Sequence, residues 1–257
     1  MEKGRHMKRI TTLLIMLLAL STAAVAQETL ADEELLRTLD AVRFFDVEVN
    51  QIEVAILSET PDETRNAAVR LQFAELEDGT YSRIEFLSPE ELAGQLYLNT
   101  PDAAYFLGPD LDFPIKTSAT TEVFGDTAVA QTSGIRFSED YTIAERREFV
   151  DENEVAQIEL KLSAVDFSVA FQEILVIADA ETLRPISMTL YALSGLPFYE
   201  VSFVEYEVRE DTDDVYVVIQ QIVNLLLIGR QTTTEIVDLG IEDLDESLFD
   251  PASLGAP

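Results

Sequence analysis

The stretch Val69-Arg70-Leu71-Gln72-Phe73-Ala74 decides the fold. Apolar Val69, Leu71 and Phe73 alternate with Arg70, Gln72 and Ala74, the period of two that buries one face of a strand and wets the other. Working outward, the same rule predicts strands over residues 82–87, 95–99, 104–107, 156–164, 171–178, 185–192, 199–208, 215–224 and 230–237, with period-two patterning from Val47 onward. About ten strands joined by short turns predict one large antiparallel sheet. The turns agree with it: Glu77-Asp78-Gly79-Thr80 carries the Asp-Gly pair of a tight hairpin, and Asp179-Ala180-Glu181-Thr182 before Leu183-Arg184-Pro185 reads as a strand connection. An open sheet this wide curls under its own twist and leaves a concave apolar face that needs a cover. Two helices are expected to supply it. One opens at the capping box Thr29-Leu30-Ala31-Asp32 and carries Leu35, Leu36, Leu39 and Val42 at helical spacing; the other lies around residues 138–149.

The start of the chain reads as an export leader. Met7-Lys8-Arg9 precedes an apolar run over 13–20 and the small-residue triplet Ala24-Val25-Ala26, so residues 1–26 are expected to be a cleaved signal peptide and 27–257 one domain. Met7 begins a more conventional leader than Met1. No Cys follows the cleavage point, and none exists in the chain, so a lipid anchor at that position is not expected. The apolar run 222–228 is far shorter than the ~20 residues a membrane span requires. The expected product is exported, periplasmic, soluble and unanchored.

Asp and Glu number 49 against 17 Lys and Arg. Removing the leader deepens the imbalance, because Lys3, Arg5, Lys8 and Arg9 leave with a single acid, Glu2. Such a surface repels nucleic acid and anionic lipid headgroups, which argues against roles built on either. The acidity fits solubility through like-charge repulsion, and the scarcity of lysine beyond Lys116 and Lys161 fits adaptation to high salt. With 47% hydrophobic residues in ordered patterns, the chain has enough apolar surface for one large core. Without disulfides, burial must supply its stability.

The order of these elements resembles a known family. The residues that carry the likeness are Arg83-Ile84-Glu85-Phe86-Leu87-Ser88-Pro89, Gly94-Gln95-Leu96-Tyr97-Leu98 and Ala104-Tyr105-Phe106-Leu107. To these are added Phe124-Gly125-Asp126 leading to Phe137-Ser138-Glu139-Asp140-Tyr141, Val176-Ile177-Ala178-Asp179 with Leu183-Arg184-Pro185-Ile186, and the closing Ser247-Leu248-Phe249-Asp250-Pro251-Ala252-Ser253-Leu254. Together they resemble the outer-membrane lipoprotein-sorting proteins, relatives of the periplasmic carrier LolA, over most of the mature chain. The resemblance implies a mainly β fold with a few helices: an unclosed antiparallel β-barrel, or half-barrel, with a helical lid over a hydrophobic cavity. It implies as cargo lipoprotein acyl chains or other lipophilic molecules, and as partners an inner-membrane transporter and an outer-membrane acceptor, with the carrier a monomer. The sequence departs from the family in lacking Trp, and in reading Gly125-Asp126-Thr127 where the family has Gly-Ser-Asp.

Alternation along the strands nominates Ile84, Phe86, Leu96, Leu98, Phe106, Ile158, Leu160, Met188 and Leu190 as cavity lining. Each of them could equally fill a closed core, and Met188 stands out because a flexible thioether adapts to varied cargo. Catalysis is not expected. The only histidine, His6, is in the leader and there is no Cys, which removes the Ser-His-Asp and Cys-His arrangements and the usual zinc or copper ligand sets. Carboxylate pairs are too numerous for their spacing to mark a glycosidase. Asp211-Thr212-Asp213-Asp214 and Glu242-Asp243-Leu244-Asp245-Glu246 lack the register of a calcium loop and read as solvated acidic turns, so no metal or cofactor is expected. The rival to a carrier is an acidic β-rich module that docks on an envelope complex with a filled core, and a weaker third reading is an envelope hydrolase.

Overall fold

The computed structural model describes residues 30–43, 49–128, 135–209 and 212–254. The expected leader over 1–26, Thr29 of the capping box, Val47 and Asp211 lie outside the described residues. From Asp32 onward the chain forms one compact unit.

It opens with helix α1 (Asp32–Arg43), whose first turn carries Asp32, Glu33 and Glu34 and whose last turn carries Arg43, both signs favourable to the helix dipole. Leu35, Leu36 and Leu39 fall on one face and are buried. Strands β1 (Gln51–Glu59), β2 (Thr64–Leu76), β3 (Gly79–Ser88), β4 (Leu96–Asn99), β5 (Ala104–Leu107) and β6 (Ile115–Thr117) then run as a meander. A small hairpin, β7 (Glu122–Phe124) and β8 (Thr127–Ala128), precedes the short helix α2 (Phe137–Asp140). The second meander is β9 (Tyr141–Val150), β10 (Ala156–Ala164), β11 (Glu173–Asp179), β12 (Pro185–Tyr191), β13 (Pro197–Val208), β14 (Val215–Asn224) and β15 (Gln231–Gly240), and a 3-10 turn at Glu246–Phe249 follows.

Strand β1 pairs with β15, which joins the two meanders into one 13-stranded antiparallel sheet whose free edges are β6 and β9. The barrel is therefore unclosed. Side-chain alternation is kept across it: Leu160, Val176, Met188, Val201 and Ile222 are successive register partners from β10 to β14 and are all buried. At Thr232 and Ser58, on β15 and β1, the same row turns polar. No helix among the described residues is long and apolar enough to cross a membrane.

Two local expectations are corrected. The segment 138–149 is not a helix: only Phe137–Asp140 is helical, and β9 begins at Tyr141. Its charges belong to a sheet edge, where among the described residues β9 pairs with β10 alone, Arg147 bonds Glu159 through Nε and Nη2 at 3.0 Å each, and exposed charge guards the outer side against other strands. The hairpin at residues 77–80 is centred one residue earlier than its Asp-Gly pair, since Leu76 pairs with Gly79 and the loop is Glu77-Asp78. Gly79 still has a steric reason to be glycine, because a Cβ there would lie 2.9 Å from the Pro101 ring.

Candidate lipid-binding cavity

Helix α1 and the C-terminal segment cover part of the sheet's apolar face, and beneath them is a cavity of about 920 Å³. Its walls come from Ile52, Val54 and Ile56 on β1, Leu71 and Phe73 on β2, Met188 on β12, Val201 on β13, Val218 and Ile222 on β14 and Ile236 on β15. Phe249 closes one side, its ring edge-on to Tyr81 at 6.5 Å between centroids. Polar side chains share the lining with them: Asp40 and Arg43 on α1, Asn50, Thr127, Ser138, and Gln220 opposite Thr234, with further acids toward the opening. The volume is that of a small-molecule site, whose usual range is roughly 300–1,000 Å³, and the lining is divided about evenly between apolar and polar side chains.

The nine residues nominated by alternation are distributed over several environments. Met188 lies in the cavity wall. Ile84 and Phe86 belong to the main core cluster, with Phe86 against Tyr97 and Phe124 at 6.4 and 6.3 Å, and Phe106 packs on that cluster with its ring 4.9 Å from Tyr97. Leu96 and Leu98 belong to a separate cluster, where Leu244, Leu248, Phe249 and Leu254 of the C-terminal segment cover them. Ile158, Leu160 and Leu190 are fully buried in the β10–β12 part of the sheet. The walls that sequence reasoning passed over come chiefly from β1, β14 and β15. The alternation Ile52, Val54, Ile56 was a usable signal for the first of these, but the pairing of β1 with β15, which turns them to a common space, has no local signature.

The lid is held by buried polar contacts. On α1, the Asp40 carboxylate accepts from the backbone N–H of Phe137 (2.9 Å), the N–H of Ser138 (2.7 Å) and the Ser138 hydroxyl (2.8 Å), capping α2 from a neighbouring helix. Arg43 donates to the Ile135 carbonyl at 2.8 Å, stacks over the Phe137 ring at 4.1 Å and lies 3.4 Å from Asp40. Burial pulls its pKa down to about 10, with Asp40 opposing the shift. Asp140, next to this clasp, is pushed up to about 6, first by burial and then by the charges of Glu139 and Asp40, while the hydrogen bond from the Arg136 N–H at 3.3 Å pulls the other way.

The turn Gly125-Asp126-Thr127 joins β7 to β8 and plugs into the sheet. Asp126 is fully buried: its N–H donates to Thr232 Oγ1 (2.9 Å), and its Oδ1 accepts from Asn224 Nδ2 (2.9 Å) and faces Arg230 Nε at 3.3 Å. Thr127 Oγ1 donates back to the Phe124 carbonyl at 2.6 Å and reaches the cavity wall. Tyr199 donates to Glu122 at 3.3 Å, and burial raises its phenol above the ordinary range. Among the described residues no group of three or more acids or histidines is placed to hold a metal ion. Glu242, Asp243 and Glu246 of the second acidic run instead line the cavity mouth.

A family model described as an uncharacterized protein matches residues 78–256. No curated protein matches the chain. Solved structures do. A LolA superfamily protein from Nitrosomonas europaea is 20% identical with a TM-score of 0.77, the match covering 86% of this chain and 98% of that one. An outer membrane lipoprotein-sorting protein domain from Vibrio parahaemolyticus is 18% identical with a TM-score of 0.69, covering 85% and 96%. A DUF1329 family protein from Desulfovibrio piger is 14% identical with a TM-score of 0.70, covering 85% and 95%. At these identities the likeness is one of fold.

Proposed function

The chain belongs to the family whose model spans residues 78–256 and has the LolA-like open barrel with a helical lid, and from that premise we propose that it carries lipophilic cargo by its acyl chain. The observation that carries this reading is the cavity of about 920 Å³ walled by Ile52, Val54, Ile56, Met188, Val201 and Ile222. Each methylene moved out of water contributes about 0.8 kcal/mol, so a tail seated along these strands is held firmly while its polar end stays at the mouth. A docking module with a filled core has no use for such a space, which favours the carrier over that rival. On this proposal the leader pattern ending at Ala24-Val25-Ala26 directs export, and an aqueous envelope compartment is where insoluble cargo needs a shield from water. On this proposal its partners are a donor and an acceptor at the two membranes, and it acts as a monomer without cofactor or catalysis.

Native mass spectrometry of protein purified from its own compartment, followed by solvent extraction and lipid analysis, tests the proposal. Bound acyl-containing species are expected. A clean apo mass, together with failure to enhance the fluorescence of an uncharged apolar probe, would overturn it.

A further inference from the structure

The cavity has a chemically one-sided mouth. Its exposed acids are Glu75 at the end of β2, Glu139 on α2, and Glu242, Asp243 and Glu246 after β15. They come from three separated parts of the chain and converge on one opening, across which Thr80 donates to Glu139 at 3.3 Å. The cations of this rim are Arg37 and Arg136, and Arg37 is engaged by Glu33 on its own helix. Arg43, deeper in, is buried with Asp40. An amphiphile whose tail enters among Ile56, Met188 and Ile222 must leave its head in this field.

Resting on the carrier reading, we infer that the cavity is selective by head charge. It takes amphiphiles whose heads are cationic, accepts uncharged heads more weakly, and turns away carboxylate and phosphate heads. Tail burial is the same for all three, so the discrimination arises at the mouth. Opposite charges a few ångströms apart attract and like charges repel, and both effects are several-fold stronger at the effective dielectric near a protein surface than in bulk water. The head of a cargo molecule therefore decides loading even though it contributes little buried area. The cargo class that fits is an acylated molecule with an amine or other cationic group beside the chain.

The test uses the full-length mature protein loaded with an uncharged fluorescent naphthylamine, displaced below micellar concentrations by three ligands with the same tail: hexadecyltrimethylammonium, monopalmitin and palmitate. The cationic ligand is expected to displace at ~10-fold or more lower concentration than palmitate in low salt, with monopalmitin between. The gap should narrow as salt shortens the screening length from ~30 Å at 0.01 M towards ~3 Å at 1 M. Two charge variants separate the mouth from the molecule's general acidity. The triple change Glu242→Gln, Asp243→Asn, Glu246→Gln should close most of the gap. The triple change Glu59→Gln, Asp62→Asn, Glu200→Gln removes as much charge from exposed positions off the rim and should leave the gap open. Palmitate displacing as well as the cation, or the two triples acting alike, overturns the inference and leaves the carrier reading intact. If the probe does not enter, or no ligand displaces it, both fail.

Discussion

Two buried side chains that look alike in the sequence separate cleanly in three dimensions. Met188 and Leu98 both sit on alternating strands, yet Met188 faces the cavity while Leu98 is sealed under Phe249 and its neighbours. Met188→Glu places its carboxylate in an open space that reaches the mouth. It should abolish probe binding while circular dichroism and the unfolding midpoint stay near wild type. Leu98→Glu forces a charge into a closed cluster and should cost about 3–5 kcal/mol or prevent folding, read as a collapse of the cooperative urea transition. In the sequence only the adaptable thioether set Met188 ahead, because alternation tells which side chains leave the water and not whether anything fills the space they face. Gly125 is a position of another kind. Its φ of +59° is one that only glycine adopts freely, and a Cβ there would come within 2.5 Å of Thr232 Oγ1 and 2.7 Å of Ser58 Oγ. Gly125→Ala is expected to destabilise by about 2 kcal/mol or more and to loosen the β7–β8 hairpin, seen as faster amide exchange over 122–128.

At the scale of elements, the lid depends on one carboxylate. Asp40→Ala removes the cap on α2 and leaves the Arg43 guanidinium buried beside aromatic rings without its acid, so a loss of about 3 kcal/mol is expected, with exchange protection lost first over 32–43. Asp140 gives the same region a pH dependence. Its folded pKa of about 6 lies above the ordinary carboxyl value of 3.8, so the protonated form is the one the fold favours. The stabilisation is full below pH 3.8 and is lost as pH rises through about 6. Asp140→Asn should abolish that slope and, at pH 7.5, stabilise by on the order of 1 kcal/mol after allowance for partial exposure. Urea midpoints at closely spaced pH values for the two proteins check both points. The elements themselves show where local reading ends. Strands β2 and β3 were legible because alternation and turn chemistry agree in them, and β10 and β14 were legible from alternation alone. The strand β9 was not, since its run Glu145-Arg146-Arg147-Glu148 has the polarity of a helix surface and only the pairing with β10 makes it a sheet edge.

The whole molecule joins a wide apolar sheet to a net charge of −32 over the full sequence. The fold class was readable because a sheet of this width cannot stay flat. The cavity was not, since it is formed where β1 meets β15, residues nearly two hundred positions apart, and where the C-terminal segment returns across the opening. That long-range closure also sets how the molecule responds to salt. Acids crowd a surface with few cations, so self-repulsion opposes the compact state and is screened once the Debye length falls below the spacing between charges, near ~10 Å at 0.1 M. The unfolding temperature should therefore climb as sodium chloride rises from ~0.01 to ~0.5 M and then level off, the reverse of a protein held together by surface ion pairs. Scanning fluorimetry across that range in chloride, with sulfate run alongside, separates screening from salting-out: screening follows ionic strength alone, whereas salting-out favours sulfate at matched ionic strength. A flat response in chloride would mean that the acids are spaced or paired well enough not to strain the fold, and the acidity would then have its consequence at the cavity mouth rather than in stability.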